Sequence, residues 1–168
     1  MREKRSELEK TARDLLKQRG VTINDIAEIV YFLQEQYFEN LSLDLCVENI
    51  NSVLRKREVQ HAILTGIQLD ILSEQNKLDE PLQNIIHRDE GLYGIDEVIA
   101  LSIVNVYGSI GLTSFGYVDK LKPGILKKLN RHDNGEVHTF LDDIVGAIAA
   151  AASSRLAHSY AGDEFLDV

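Results

Sequence analysis

The sequence predicts an all-α protein. Apolar residues recur at three- and four-residue spacings through most of the 168 positions, and glycine, proline and capping residues fall where those patterns stop. No stretch alternates apolar and polar residues as a half-buried strand does, and no internal repeat is present. No Pro/Ser-rich linker divides the chain, so residues 1–168 are expected to form a single multi-helix domain.

The elements follow in order. Residues 3–19 set Leu8, Ala12, Leu15 and Leu16 on one stripe among many charges, and Gly20 is a stop. Thr22 and Asp25 offer caps for a helix through Ile26, Ile29, Val30, Leu33 and Tyr37. Residues 42–56 repeat the pattern with Leu45, Val47, Ile50, Val53 and Leu54, and residues 57–75 continue it with Val59, Ala62, Ile63, Gly66, Ile67 and Ile71. A polar break, 76–81, leads into a short helix over 81–86, where Pro81 needs no N–H in the first turn. Three more helices are predicted over 95–106, 120–129 and 141–158, with Gly91, Gly94, Gly108, Gly111, Gly116 and Gly135 in linkers. The small residues from Gly146 to Ala152 suit a close packing seam or a contact between subunits, and a homo-oligomer fits the latter.

Composition narrows the class. With 44% hydrophobic and 27% charged residues the chain packs a core rather than staying disordered. A net charge of −9 argues against a general nucleic-acid binder, which needs a basic face. It does not oppose a metal site, whose acids add to such a balance. Cys46 stands alone, so no intramolecular disulfide forms, as suits a reducing cytoplasm. The charged start leads into no apolar signal region, and no apolar run approaches the roughly 18 residues of a membrane span. A soluble, cytoplasmic protein that meets a membrane only from outside is expected.

Two acidic doublets stand out. Asp142-Asp143 opens an otherwise apolar, small-residue stretch, and Asp96-Glu97 opens the apolar run from Val98 to Val106. Carboxylates beside a core are costly unless their charge is offset, and a divalent cation does that. Alternatively both doublets sit in first helical turns, where acids gain about 0.3–1 kcal/mol each from the macrodipole, and Thr139 with Asp142 resembles a capping box. Adjacent residues differ by about 100° around a helix, so only one of each pair need face inward.

Asp119-Lys120-Leu121-Lys122-Pro123-Gly124 adds a carboxylate and two ammonium groups at a Pro-Gly turn. Mg²⁺ prefers carboxylate oxygens and retained waters, and lysines neutralise phosphate oxygens, so the mixture suits metal-assisted phosphoryl chemistry. A surface turn with an ion pair is the other reading of this segment. The polar run His87-Arg88-Asp89-Glu90-Gly91 reads as a turn, and His132 and His138 flank the turn signal Asp133-Asn134-Gly135.

The three ordered segments Gly94-Ile95-Asp96-Glu97-Val98, Asp119-Lys120-Leu121-Lys122-Pro123 and Asp142-Asp143-Ile144-Val145-Gly146 resemble the phosphatidylglycerophosphatase A family. The resemblance is strongest over 87–158. Residues 93–113 and 138–152 carry a further likeness to its soluble low-temperature-requirement C branch. The resemblance implies a Mg²⁺-dependent phosphatase of lipid metabolism that removes the terminal phosphate of phosphatidylglycerophosphate or a related phosphomonoester. It makes Asp96, Glu97, Asp142 and Asp143 metal-site candidates, and gives Asp96, Asp119 and Asp142 catalytic roles, Asp119 as ligand or as water-orienting base. Lys120 and Lys122 would bind the phosphate.

Two departures accompany the likeness. Membrane-type members carry hydrophobic spans that this chain lacks, and the family's N-terminal Pro-Gly-Thr-containing segment is not found. In its place stands Arg55-Lys56-Arg57-Glu58-Val59-Gln60-His61, where Arg57 and His61 share a helical face. Arg57 is therefore a further phosphate-binding candidate, or part of a solvated basic helix end. The expected partner is a phosphate-bearing small molecule or lipid headgroup, and no nucleic acid. The alternative is a nonenzymatic helical interaction or cold/stress-response protein that retains the fold.

Overall fold

The computed structural model describes residues 2–131 and 135–164, and within them every regular element is helical. The amphipathic stripes become α1 (Arg2–Gln18), α2 (Ile23–Gln34), α3 (Leu43–Leu54) and α4 (Arg57–Glu74). Short α5 (Leu82–His87) follows, then α6 (Ile95–Val104), α7 (Gly108–Leu121), α8 (Ile125–Leu129) and α9 (Leu141–Glu164). Thr22 caps α2 through a reciprocal capping box with Asp25, as its sequence suggests. His132, with the turn signal Asp133-Asn134, lies outside the described residues.

α9 is the axis of the fold. From Leu141 to Ser154 every residue is buried, because α2, α3, α4, α6, α7 and α8 all pack against it. A helix lined all round by Ala, Gly, Ser and aliphatic side chains has no solvent face to offer. The segment from Gly146 to Ala152 is thus a packing seam inside the chain and not a subunit contact. Among the glycines, the tightest approach to the start of α9 is made from α4. A Cβ added at Gly66 would stand 2.4 Å from Ile144 Cδ1 and 2.9 Å from Phe140 Cβ, whereas one at Gly146 would meet nothing closer than 3.5 Å.

One stretch departs from the sequence expectation. Residues 108–119 are the body of α7 rather than a glycine-containing linker, and the helix expected over 120–129 is broken at Lys122-Pro123-Gly124. Glycine lowers helix propensity, but Gly111 lets α7 approach Val104 of α6, whose Cγ1 would lie 3.1 Å from an added Cβ. Gly108, at φ 80°, turns the chain between the two helices after a short 3-10 turn at Asn105–Tyr107.

The run Ile95–Leu121 is, by length and composition, apolar enough to cross a bilayer, contrary to the expectation that no run approaches that length. A straight helix of its 27 residues would separate its ends by about 40 Å. Instead Asp96 and Asp119 line one cleft, so α6 and α7 form an antiparallel hairpin with its open end at that cleft. At 10 and 14 residues, roughly 15 and 21 Å, each arm is shorter than the ~30 Å hydrocarbon core.

Candidate active site

The first turns of α6 and α9, the last turn of α7 and the loop 89–94 enclose a cleft of about 170 Å³. Asp96, Glu97, Asp119, Lys122, Asp142 and Asp143 all line it. The three sequence segments therefore converge. Asp96 is buried and Glu97 exposed, as a 100° step predicts, but Asp142 and Asp143 are both buried because α9 is enclosed on every side.

Lys122 is the centre of the cluster. Its Nζ donates to Asp119 Oδ1 at 2.6 Å and to Asp142 Oδ2 at 2.7 Å, and lies 3.7 Å from Asp143 Oδ1. Lys122 adopts φ 47°, ψ 55°, a left-handed conformation that non-glycine residues avoid, at the point where α7 ends. The ammonium among three carboxylates offsets that strain. Burial acts against its charge, but Asp142 and the hydrogen bonds of Asp119 and Asp142 outweigh it and hold the lysine above its usual range.

One ammonium cannot balance three carboxylates. Burial raises Asp142 despite the pull of Lys122, while Asp142 Oδ1 accepts from the Asp143 N–H at 2.8 Å. Asp143, with the longest contact to the lysine, takes the surplus: burial and then the Asp142 charge push it up to about 8. Across the cleft, Asp96 Oδ1 is buried with no hydrogen-bond partner.

These observations bear on a divalent cation. No group of three or more His, Cys, Asp or Glu among the described residues is arranged to hold a metal as it stands. Mg²⁺ does not require one, since it is held through one or two carboxylates plus waters and substrate phosphate. The unpartnered oxygen of Asp96 and the under-compensated Asp143 fit that demand, and the donors are all hard oxygens.

Two predicted phosphate ligands are not brought to the cleft. Lys120 is exposed and absent from its lining, because one residue's step from Asp119 turns it to another face, while Lys122 three residues on shares that of Asp119. Arg57 is exposed at the start of α4, 13 residues or about 20 Å along the helix from Asp70, whose carboxylate reaches the start of α9. His61 is likewise exposed on that helix and is not part of the lining. Arg57 and His61 therefore take no part in the cleft lining.

The support behind the cleft was less legible. Asp70, wholly buried, accepts from the N–H groups of Phe140 at 3.1 Å and Leu141 at 3.0 Å, capping α9 from another helix. Thr139 does not form the expected capping box; its hydroxyl donates to Ile86 O at 2.6 Å. Arg19 pairs with Glu74, and the two hold both backbone polar groups of Val137, at 2.8 Å each. His138 is buried against Arg19 and does not line the cleft. Burial and then the Arg19 charge lower its pKa. The signal for Asp70 was a carboxylate on the apolar stripe of Ile63 and Ile67. The polar run 87–91 contributes Asp89, Glu90 and Gly91 to the rim, and Asn130 joins them.

Among solved structures, the low temperature requirement C protein from Listeria monocytogenes superposes with a TM-score of 0.90 at 68% identity, covering 92% of this chain and 97% of that one. Protein ypjQ from Bacillus subtilis gives 0.90 at 57% identity, covering 94% and 98%. YutG of Bacillus subtilis (strain 168), an uncharacterized protein, is 65% identical over 153 residues, 91% of this chain and 92% of its own length. Residues 12–158 match the phosphatidylglycerophosphatase A family, well beyond the motif-bearing half of the sequence. The three acid-bearing segments that meet around Lys122, on a fold matched along nearly all of its length, place this chain in the phosphatidylglycerophosphatase A family.

Proposed function

We propose that the chain is a Mg²⁺-dependent phosphohydrolase that removes a terminal phosphate from phosphatidylglycerophosphate or a related phosphomonoester. The observation that carries this is Lys122, fixed between Asp119 and Asp142 in a cleft where Asp96 keeps an unpartnered buried oxygen. At about 170 Å³ the cleft is smaller than the roughly 300–1,000 Å³ of drug-sized ligand sites, which suits a phosphorylated headgroup with the rest of the molecule outside.

Lys122 neutralises charge on the phosphoryl oxygens and, anchored twice, needs no reorganisation to do so. Asp119, partly exposed at the cleft wall, orients the attacking water and receives its proton. The water oxygen forms the new bond to phosphorus as the ester P–O bond breaks, releasing phosphate and an alcohol, whose oxygen takes up a proton. Asp96 and Asp143, with Asp142 and Glu97 beside them, would hold Mg²⁺. The ion supplies charge neutralisation and templating for the phosphate. Asp70, Thr139 and the Arg19–Glu74 pair keep the first turn of α9 in place.

The test is phosphate release by the purified chain with Mg²⁺ from phosphatidylglycerophosphate, soluble phosphomonoesters and nucleotides. Release is expected from at least one ester, with loss in Asp96→Asn and Asp142→Asn and on chelation. No release from any of them, with no Mg²⁺-dependent thermal shift, would favour the nonenzymatic alternative.

A further inference from the structure

The α6–α7 hairpin exposes large apolar side chains that the hydrolytic reading does not use. Residues 98–118 contain no charged side chain, and only 28% of the hairpin's most apolar stretch is buried. Val98, Leu112, Tyr117 and Leu121 are each about half exposed, and Leu92, on the rim of the cleft, is fully exposed. Large apolar side chains exposed together on one hairpin are a candidate interaction site.

A second feature adjoins it. The segment 120–131 holds Lys120, Lys122, Lys127, Lys128 and Arg131 and no Asp or Glu, in a chain of net charge −9. Lys122 is committed to the cleft, while Lys120, Lys127, Lys128 and Arg131 are exposed. Asp96, Asp142 and Asp143 are buried in the cleft, while these four cations stand outside it. The charge of segment 120–131 is therefore opposite in sign to that of the whole molecule.

We infer that the outer face of the α6–α7 hairpin and the basic segment 120–131 form an interfacial docking surface for anionic lipid bilayers, presenting the cleft to headgroups at the membrane surface. The inference rests on the proposed hydrolysis for its purpose and names where the substrate is met. Apolar side chains entering the headgroup boundary, flanked by lysines over anionic lipid, are the two forces that hold interfacial helices. Neither arm is long enough to span, so the contact is peripheral. A second copy is the poorer occupant, because a two-fold contact through this face would bring two copies of the basic segment together.

The test is co-sedimentation of the full chain with phosphatidylcholine vesicles, with and without phosphatidylglycerol, a phosphodiester lipid with no terminal phosphomonoester to hydrolyse. Binding is expected to favour the phosphatidylglycerol vesicles and to weaken with salt. Lys127→Gln/Lys128→Gln should weaken it roughly 30-fold, and Val98→Ser/Leu112→Ser should weaken it on both vesicles. Both double variants should hydrolyse a soluble phosphomonoester as the parent does.

Equal binding to the two vesicles, or no effect of either variant, overturns the proposal. So does a dimer in sedimentation velocity that Val98→Ser/Leu112→Ser converts to monomer, since the face is then a contact between copies. Phosphate release is read separately. A chain that docks in this way but hydrolyses no ester supports the surface and removes the reading of the cleft, and the converse result does the opposite.

Discussion

Replacing Asp143 by Asn should stabilise the fold while abolishing hydrolysis. Asp143 is raised from 3.8 to about 8, by burial first and by Asp142 second. A carboxyl with a folded pKa above its unfolded one binds its proton more tightly in the folded state. Stability therefore falls as pH rises between those two values. The shift of 8 − 3.8, about 4 units, corresponds at 1.36 kcal/mol per unit to a ceiling of about 6 kcal/mol. Relaxation, coupling to Asp142 and desolvation of the Asn amide reduce the gain to roughly 1–3 kcal/mol at pH 8. Little attraction is lost, because Lys122 keeps its two shorter partners when the 3.7 Å contact goes. Thermal melts across pH 4–9 should show Asp143→Asn melting higher by about 2–4 °C per kcal/mol at pH 8, with the difference vanishing near pH 4. Mg²⁺ should raise the melting temperature of the parent more than that of the variant. A gain of equal size at both pH values, or none at pH 8, would refute an uncompensated charge at this position.

The two glycines of the α9 seam should respond in opposite directions. Gly66→Ala drives a methyl to within 2.4 Å of Ile144 Cδ1 and should cost about 1–3 kcal/mol in denaturant unfolding, recovered in part by Ile144→Val. Gly146→Ala meets only ordinary contacts and should gain about 0.5–1 kcal/mol from reduced chain entropy; equal effects at both positions would contradict the packing. Asp70→Ala strips the acceptor from two buried N–H groups and should cost about 1–3 kcal/mol. It should also lower kcat more than it raises KM, and unchanged kinetics would show that the cap does not position the acids.

The fold class and most helices were legible because burial imposes a 3.6-residue period, and Leu15, Ile26, Ile50, Ile63 and Ile144 follow it. α7 was not, because its helical stability comes from packing against α6 and α9 rather than from propensity, and glycine spacing conceals that. The acidic half of the site could be read because carboxylates at the head of apolar runs carry a solvation cost visible in one dimension. The basic half was read too broadly. Lys120 and Lys122 look equivalent as letters, and only the end of α7 in a left-handed residue decides which ammonium enters the cleft. Arg57 had the right chemistry at the wrong end of α4. Asp70 had a recognisable place in the apolar stripe, but its partners lie about 70 residues away, beyond any local pattern.

The cleft and the core are one mechanical object. Asp142 and Asp143 occupy the first turn of the helix that α2, α3, α4, α6, α7 and α8 pack against, so they cannot shift without moving α9, and α9 cannot shift without opening the contact of Gly66 with Ile144. This explains how three carboxylates can be kept beside one ammonium: packing supplies the restraint that electrostatics alone would oppose. A surface turn bearing the same residues would splay apart in water and lose its surplus charge to solvation. Held on α9, the surplus persists until a cation or proton arrives, and the energy stored in that repulsion favours the arrival of either.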